Sequence, residues 1–142
     1  MRIGEIADRA GVGVETVRFY EHKGLISQPL RPQNGGYREY PNETVRRIRF
    51  IRSAQKLGFS LSEILELLDY EAGPYARCSD VRERADAKLI EVQHKIDKLG
   101  RISHALEELI LACTAEGPAK RCSIIESINN GDLHLDDAKH GE

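Results

Sequence analysis

The pattern of apolar positions predicts short helices joined by glycine-containing turns in the first part of the chain. Apolar residues recur there at helical spacing: Ile3, Ile6, Ala7 and Ala10, followed by Val14, Val17, Phe19 and Leu25. Gly11-Val12-Gly13 separates the two runs. Two short helices on either side of such a turn predict a helix-turn-helix, whose second helix would enter the major groove of DNA.

The second of these helices carries residues that we expect to contact DNA. Glu15 and Thr16 lie near its start, where base contacts are usually made. Arg18 and Tyr20 are expected to point away from the apolar stripe and to reach phosphates or base edges. An ordinary helical hairpin without a role in DNA binding is the alternative for this segment.

The segment over residues 29–40 predicts a β-hairpin wing. Asn34-Gly35 lies between two short extended runs, which is a strong signal for a tight hairpin turn. One cation and two phenols follow it and suit the sugar-phosphate backbone: Tyr37, Arg38 and Tyr40. A plain exposed hairpin remains the alternative.

Two further helices are predicted after the wing. Asn42 is a suitable N-cap for the first, and Ser60 is a suitable N-cap for the second. Their apolar residues follow helical spacing: Val45, Ile48, Phe50, Ile51 and Ala54, then Leu61, Ile64, Leu65, Leu67 and Leu68. Leu57-Gly58-Phe59 separates the two helices and makes a second helix-turn-helix-like unit.

One long amphipathic helix is predicted over residues 79–112, with Ser79 as its cap. Its apolar residues alternate at threes and fours, which is the spacing of a coiled-coil seam. We expect six of them to form a dimer interface: Leu89, Val92, Ile96, Leu99, Ile102 and Leu106.

Three cysteines flank the ends of this helix: Cys78, Cys113 and Cys122. A helix of that length, rising about 1.5 Å per residue, keeps Cys78 and Cys113 roughly 50 Å apart. Two such helices running antiparallel would bring Cys78 of one chain to Cys113 and Cys122 of the other, which makes two identical thiolate sites per dimer. In that register Val81 would face Ile110, so apolar residues would face each other. Sulfur ligands without a nearby histidine or carboxylate pattern favour a soft metal ion.

Charge and composition narrow the function further. Residues 1–56 carry 11 Lys and Arg against 6 Asp and Glu, whereas the whole chain of 142 residues has a net charge of −2. A basic N-terminal part on an acidic remainder favours nucleic-acid contact at one end. We expect a cytoplasmic protein because there is no signal peptide and no apolar run long enough for a bilayer. An odd cysteine count then favours metal binding or redox sensing over a disulfide framework.

Several short motifs in register resemble the MerR family of transcriptional regulators. They are Ile3-Gly4-Glu5-Ile6-Ala7, Thr16-Val17-Arg18-Phe19-Tyr20-Glu21, Lys23-Gly24-Leu25, Gly36-Tyr37-Arg38 with Tyr40, and Leu57-Gly58-Phe59-Ser60-Leu61-Ser62-Glu63-Ile64. We predict a mainly α protein made of five parts: a winged helix-turn-helix DNA-binding domain (1–70), a linker with the first metal ligand (71–78), an antiparallel coiled-coil dimerisation helix (79–112), a metal-binding loop with a short helix (113–128) and a flexible tail (129–142).

The resemblance also implies a function. Mercury-sensing members of the family carry one cysteine just before the dimerisation helix and two around the loop after it, and Cys78, Cys113 and Cys122 match these positions. This implies one Hg(II) in a three-thiolate site, two sites per homodimer, and a regulator that represses and activates a resistance-operon promoter together with RNA polymerase by distorting the DNA. Zinc-sensing members usually have a second cysteine where this chain has Thr114. We expect His134 and His140 to be solvated tail residues.

Three alternatives remain beside the Hg(II) regulator. The first is a regulator of the same family that responds to Pb(II) or Cd(II), because thiolate ligands suit these ions as well as Hg(II). A redox sensor with a disulfide between Cys113 and Cys122 is the second alternative, and it leaves Cys78 without a role. An enzyme is disfavoured, since the chain shows no paired acids in a pocket-like context, no phosphate loop and no nucleophile–base motif.

Overall fold

The computed structural model describes residues 1–135, and in this range the chain is helical with irregular connections. The helices are α1 (Ile3–Ala10), α2 (Val14–His22), α3 (Glu43–Lys56), α4 (Leu61–Ala72), α5 (Cys78–Leu111) and α6 (Ser123–Asn130), with one 3-10 turn at Ala119–Arg121. The chain divides into two compact units, Met1–Ala85 and a second that begins at Asp86. The mainly α helix-turn-helix fold predicted from the sequence is confirmed. None of the helices in the described part is both long and apolar enough to cross a membrane.

The core of the first unit lies between α1, α2, α3 and α4. Ile6, Val17, Ile48 and Ile64 each come from a different helix, and all four side chains are fully buried. Burying an aliphatic side chain of this size contributes about 1.5–3 kcal/mol. These contacts hold α2, the helix predicted to enter the major groove, in a fixed position on α1 and α3.

The turn between α1 and α2 depends on a left-handed residue. Gly11 has φ +73°, a conformation that glycine adopts without the steric cost a Cβ would bring. Its N–H donates to the carbonyl of Asp8 at 3.1 Å, and the Val12 N–H donates to that of Ala7 at 3.0 Å. This closing pattern ends α1 sharply, so that α2 can begin three residues later.

The predicted caps of α3 and α4 behave differently. Ser60 forms a complete capping box: its N–H donates to Glu63 Oε1 at 2.7 Å, and the Glu63 N–H donates to its Oγ at 3.2 Å. Asn42 occupies the N-cap position of α3, but its side chain makes no cap hydrogen bond. Its backbone is helical (φ −57°, ψ −31°) rather than extended, and a capping side chain needs the extended form.

The prediction of a β-hairpin at residues 29–40 is wrong, because this segment contains a turn but no strand. The Gly35 N–H donates to the carbonyl of Pro32 at 3.1 Å, and the Gly36 N–H donates to Asn34 Oδ1 at 3.0 Å. Pro29 and Pro32 have no N–H donor for a hairpin ladder, and the N–H groups of Gly35 and Gly36 are used within the turn. The segment is therefore a loop, which we call the wing loop (residues 29–40).

The start of α5 also differs from the prediction. The helix begins at Cys78, so Ser79, the predicted cap, lies inside the first turn. Asp80 provides the capping contact instead: its carboxylate accepts the N–H of Arg77 at 2.9 Å, and its own N–H donates to the Arg77 carbonyl at 2.9 Å. An acidic side chain at this third position can reach back to the residue before the helix, which a serine at the second position cannot do.

The second unit contains most of α5, the 3-10 turn and α6. Ala105 of α5 is buried, while α6 extends to Asn130 and ends at the left-handed Gly131, two residues beyond the predicted start of the tail. His134 is largely exposed, and its Nδ1 lies 3.4 Å from Glu108 Oε1. His140 and the rest of residues 136–142 lie outside the described residues.

Candidate functional site

The loop after α5 brings Cys113 and Cys122 close together. Cys113 follows the last turn of α5, where its N–H donates to the Ile110 carbonyl at 3.1 Å. The chain then turns back through the 3-10 turn, so that Cys122 occupies the N-cap position of α6. The two thiols are within interaction distance, and the Ala115 N–H donates to Cys113 Sγ at 3.3 Å. This pair of thiols and its loop, residues 113–122, form the thiol site.

The start of α6 favours the thiolate form of Cys122. The backbone N–H groups of Ile125 and then Ile124 lower the pKa of this thiol, and the Cys113 thiol acts in the same direction. Partial burial and the charge of Glu126 oppose them. The side chain does not form a full cap hydrogen bond, so the stabilisation comes from N–H groups aimed toward the sulfur. A thiol with a lowered pKa is a better nucleophile and a better metal ligand.

Cys78 lies in the first unit, at the first residue of α5, and its side chain is exposed. All three cysteines are free thiols. Among residues 1–135 of one chain, no group of three or more His, Cys, Asp and Glu side chains could hold a metal ion. The thiol site itself presents two neighbouring sulfur donors, the ligand type that soft metal ions prefer.

The predicted dimer residues form a largely uncovered apolar stripe on α5. Leu89, Ile96, Leu99 and Leu106 are between 52% and 63% exposed, and Val92 and Ile102 are half-buried. Large aliphatic side chains left in water along one helix face are typical of an interaction surface.

The predicted DNA-contacting residues fall into two groups. Glu15 and Arg18 on α2 are exposed, Thr16 is half-buried, and Tyr37 on the wing loop is 68% exposed. Arg38 is half-buried, and its Nε donates to the Pro29 carbonyl at 2.8 Å. Arg38 therefore holds the wing loop in shape through this bond.

Tyr20 and Tyr40 do not face solvent, so the expectation that Tyr20 points away from the apolar stripe is wrong, while contact of these two residues with DNA stays a prediction. They are 2% and 4% exposed and belong to the core of the first unit. The Tyr20 hydroxyl donates to Gln55 Oε1 at 2.9 Å, and the Tyr40 hydroxyl donates to the Glu21 carboxylate. Burial, followed by the bond to Glu21, raises the pKa of Tyr40 to about 12. The helical period of α2 turns Tyr20 back onto the same face as Val17, three residues before it.

Sequence reasoning missed two arginines that extend this surface. The Arg2 guanidinium lies 4.1 Å from the centre of the Tyr37 ring, which is a cation–π contact. Arg2 and Arg31 line one depression together with Arg18 and the wing loop. Their signal in the sequence is weak, because each is an isolated arginine next to a motif. We call this depression the cationic groove (Arg2, Arg18, Arg31, Tyr37).

The fold and these two sites define a class: a helix-turn-helix protein with a cationic groove, which also carries a thiol site at the end of a long helix. The chain belongs to the MerR family. The family model described as "MerR HTH family regulatory protein" matches residues 1–71, and the model described as "MerR, DNA binding" matches residues 45–109. The MerR resemblance seen in the sequence motifs is thereby confirmed.

Three relatives illustrate the likeness. The chain is 44% identical over 131 residues to the mercuric resistance operon regulatory protein of Pseudomonas fluorescens. This match covers 92% of this chain and 89% of that protein. The MerR regulator of Bacillus megaterium, solved in complex with mercury(II), is 38% identical with a TM-score of 0.68, over 91% of this chain and 99% of that one. A regulator of Ralstonia metallidurans, solved in complex with lead(II), is 34% identical with a TM-score of 0.80, and the match covers 90% of this chain and 98% of that one.

Proposed function

We propose that this protein is a homodimeric, Hg(II)-responsive transcriptional regulator that represses and activates a resistance-operon promoter. The observation that carries the proposal is the thiol site, in which the loop after α5 brings Cys113 and Cys122 together and the start of α6 favours a thiolate. It occurs in a member of a family in which one relative is named for mercuric resistance and another is solved with mercury(II).

The complete metal site uses Cys113 and Cys122 of one protomer and Cys78 of the other. Cys78 and Cys113 flank opposite ends of α5, so antiparallel pairing of two α5 helices is the arrangement that brings their thiols together. Each dimer then has two sites, and each site holds one Hg(II). Three soft thiolates suit Hg(II), whereas zinc prefers four ligands and a tetrahedral site.

The apolar stripe of α5 is the surface that pairs. Its exposed leucine and isoleucine side chains, from Leu89 to Leu106, would be covered by the same stripe of the second protomer. Such pairing is self-complementary, as a two-fold interface requires. Burial of this surface stabilises the dimer by about 25 cal/mol for each Å² of apolar area removed from water.

DNA binding uses the exposed face of α2 and the cationic groove. Glu15 and Thr16 lie at the start of α2, where base edges are read, and Arg18 lies one turn further along. Arg2, Arg31 and Tyr37 would contact the phosphate backbone and fix the register on the duplex.

Metal binding switches the protein by favouring one conformation of the dimer. A ligand shifts an equilibrium only by its difference in affinity between the two states. A site whose ligands come from two protomers has this property, because the distances between sulfurs change when the protomers move. The two DNA-binding units then distort the promoter differently, which changes its use by RNA polymerase. Such a regulator acts in the cytoplasm and is not an enzyme.

A Pb(II)-responsive regulator is the second candidate, because the lead-bound relative is similar over nearly its whole length. Cd(II) is also compatible with thiolate ligands. A redox sensor would need just Cys113 and Cys122, which already lie together, and would leave Cys78 without a function.

An anaerobic titration of the reduced dimer distinguishes these candidates. Hg(II), Pb(II), Cd(II) and Zn(II) are added in the presence of excess small thiol, and thiolate-to-metal absorption gives the stoichiometry. One Hg(II) per protomer, retained while the other ions are displaced, supports the proposal. Tighter retention of Pb(II) or Cd(II) moves the assignment to that ion, and retention of none leaves the redox sensor.

Mixed dimers test whether the site is shared between protomers. A Cys78→Ser protomer is paired with a protomer carrying both Cys113→Ser and Cys122→Ser. A shared site predicts one complete three-thiol site in this dimer, although neither homodimer has any. A site within one protomer predicts none. Thr114→Ser, next to Cys113, is the matched control and should bind as the unaltered protein does.

A further inference from the structure

Arg84 joins α4 to the first turns of α5 within the first unit. Its Nη2 lies 2.9 Å from Glu66 Oε2, and its Nε donates to the Tyr70 hydroxyl at 3.2 Å. The guanidinium carbon is also 6.0 Å from the centre of the Tyr70 ring. We call these three residues the α4–α5 clamp (Glu66, Tyr70, Arg84).

The clamp depends on the geometry of each partner. Glu66 and Tyr70 are four residues apart on α4, so they lie on the same face one turn from each other. The planar guanidinium presents different N–H groups to the two partners at once, which the compact ammonium of a lysine cannot match. The hydrogen bond to Tyr70 and then the charge of Glu66 raise the pKa of Arg84, so that it stays a cation.

The two helices that the clamp joins have different roles. On α4, Ile64 and Leu68 are buried in the core that also holds α2 and α3. On α5, Cys78 is the first residue and lies six positions before Arg84. Between the helices, Gly73 leaves α4 with an extended backbone, so the connecting segment itself is not helical. A movement at Cys78 can therefore reach α4 through Arg84.

The clamp contributes little to stability by itself. The side chains of Arg84 and Glu66 are 47% and 45% exposed, and exposed ion pairs contribute about 0–1 kcal/mol. The clamp instead fixes the orientation of the start of α5 on α4, because Arg84 contacts two partners one helical turn apart.

We infer that the α4–α5 clamp is a positioning device that transmits metal binding at Cys78 to the helix-turn-helix unit. The inference rests on the proposed function, because it requires Cys78 to be a metal ligand. Arg84, Glu66 and Tyr70 are not among the residues proposed to bind the metal or the DNA. They set how far a displacement of the first turn of α5 changes α4 and the core beneath it.

Hydrogen exchange of the full-length dimer with and without Hg(II) tests the clamp, and it requires no knowledge of the operator. In the unaltered protein, Hg(II) should change the exchange rates of α4 amides by at least about fivefold, the lower range of allosteric couplings. Arg84→Gln and the charge reversal Arg84→Glu should retain one Hg(II) per protomer but reduce this change to less than about twofold.

Rescue separates positioning from a purely structural effect. Glu66→Arg alone should also lose the response, whereas Glu66→Arg combined with Arg84→Glu restores the ion pair and should restore the response. Lys98→Glu, the same charge reversal at an exposed site of α5, should leave it unchanged. Thermal unfolding checks that all variants remain folded.

The possible outcomes test the proposed Hg(II) function and the clamp inference separately. If the unaltered dimer binds no Hg(II), the proposed function falls, and the clamp inference falls with it. If the dimer binds Hg(II) but α4 does not respond, or if Arg84→Gln transmits the full change, the inference is overturned and the proposed metal site stands. A double variant that binds Hg(II) without recovering the response also overturns it.

Discussion

Replacing Tyr40 with phenylalanine tests whether this residue belongs to the core or to the DNA-binding surface. The hydroxyl of Tyr40 donates to the Glu21 carboxylate and links the end of the wing loop to α2. Hydrogen bonds to a charged group contribute about 1.5–3 kcal/mol. Glu21 is half-buried, so water can partly replace the lost donor, and we expect Tyr40→Phe to lower the free energy of unfolding by about 1–2 kcal/mol.

The effect should depend on pH in a defined direction. The pKa of Tyr40 is raised from 10.0 to about 12 in the folded protein. A group whose pKa is raised by folding stabilises the folded state below its unfolded pKa, and this contribution is lost as the pH rises toward the folded pKa. The stability difference between the unaltered protein and Tyr40→Phe should therefore be constant between about pH 7 and 10 and shrink between about pH 10 and 12.

Urea unfolding at a fixed protomer concentration measures the stability, and a titration with an operator duplex selected from a random library measures DNA affinity. Tyr37→Ala is the matched control, since Tyr37 is 68% exposed on the same loop. It should weaken DNA binding with little effect on stability, whereas Tyr40→Phe should do the reverse. Unchanged stability together with a loss of affinity in Tyr40→Phe would refute the assignment of Tyr40 to the core.

Three further variants test particular elements. Ser60→Ala should cost about 1 kcal/mol in urea unfolding because it removes a capping box, while Asn42→Ala, which removes no cap bond, should cost much less; equal losses would contradict the capping assignment. Ile96→Lys should weaken self-association in sedimentation experiments because it places a charge in the apolar stripe, while an effect as large from Lys98→Glu would contradict this role for the stripe. Gly11→Ala should lower the free energy of unfolding by about 1–2 kcal/mol because alanine is strained at a positive φ, and a smaller loss would show that this turn relaxes easily.

Periodicity predicted the helices well because burial has a regular signature along a helix. Ile48 and Ile64 were expected in the core and are fully buried. The same reasoning failed for Tyr20, which was expected to point away from the apolar stripe although it lies on the same helix face as Val17. In the structure the ring is buried and the hydroxyl finds Gln55, as a buried tyrosine usually requires.

The wing loop shows a second limit of sequence reasoning. An Asn-Gly pair signals a turn, and a turn is present, but the ladder beyond it depends on donors and acceptors that are not visible in the pattern. The Pro29 carbonyl accepts a hydrogen bond from Arg38, and the Tyr40 N–H donates to the Met1 carbonyl at 2.7 Å. Both are tertiary contacts between residues whose distance in space the sequence does not show.

The thiol site was predictable in residue type and not in geometry. The spacing of Cys113 and Cys122 allows them to meet, but the sequence does not show that Cys122 lies at the start of α6. That position lowers the pKa of the Cys122 thiol, which makes Cys122 the better metal ligand of the pair.

The position of the third proposed ligand, Cys78, bears on how the proposed switch works. Two thiols that lie together in one protomer bind a metal ion with the same affinity in either conformation of the dimer, and a ligand of equal affinity for both states shifts nothing. Moving an equilibrium from 1:99 to 99:1 requires a difference of about 10⁴-fold in affinity between the states. In the proposed site this difference must come from Cys78, the ligand supplied by the other protomer. Cys78→Ser should thus retain Hg(II) at Cys113 and Cys122 with lower affinity, yet lose the response at the promoter, so that binding and switching separate in this one variant.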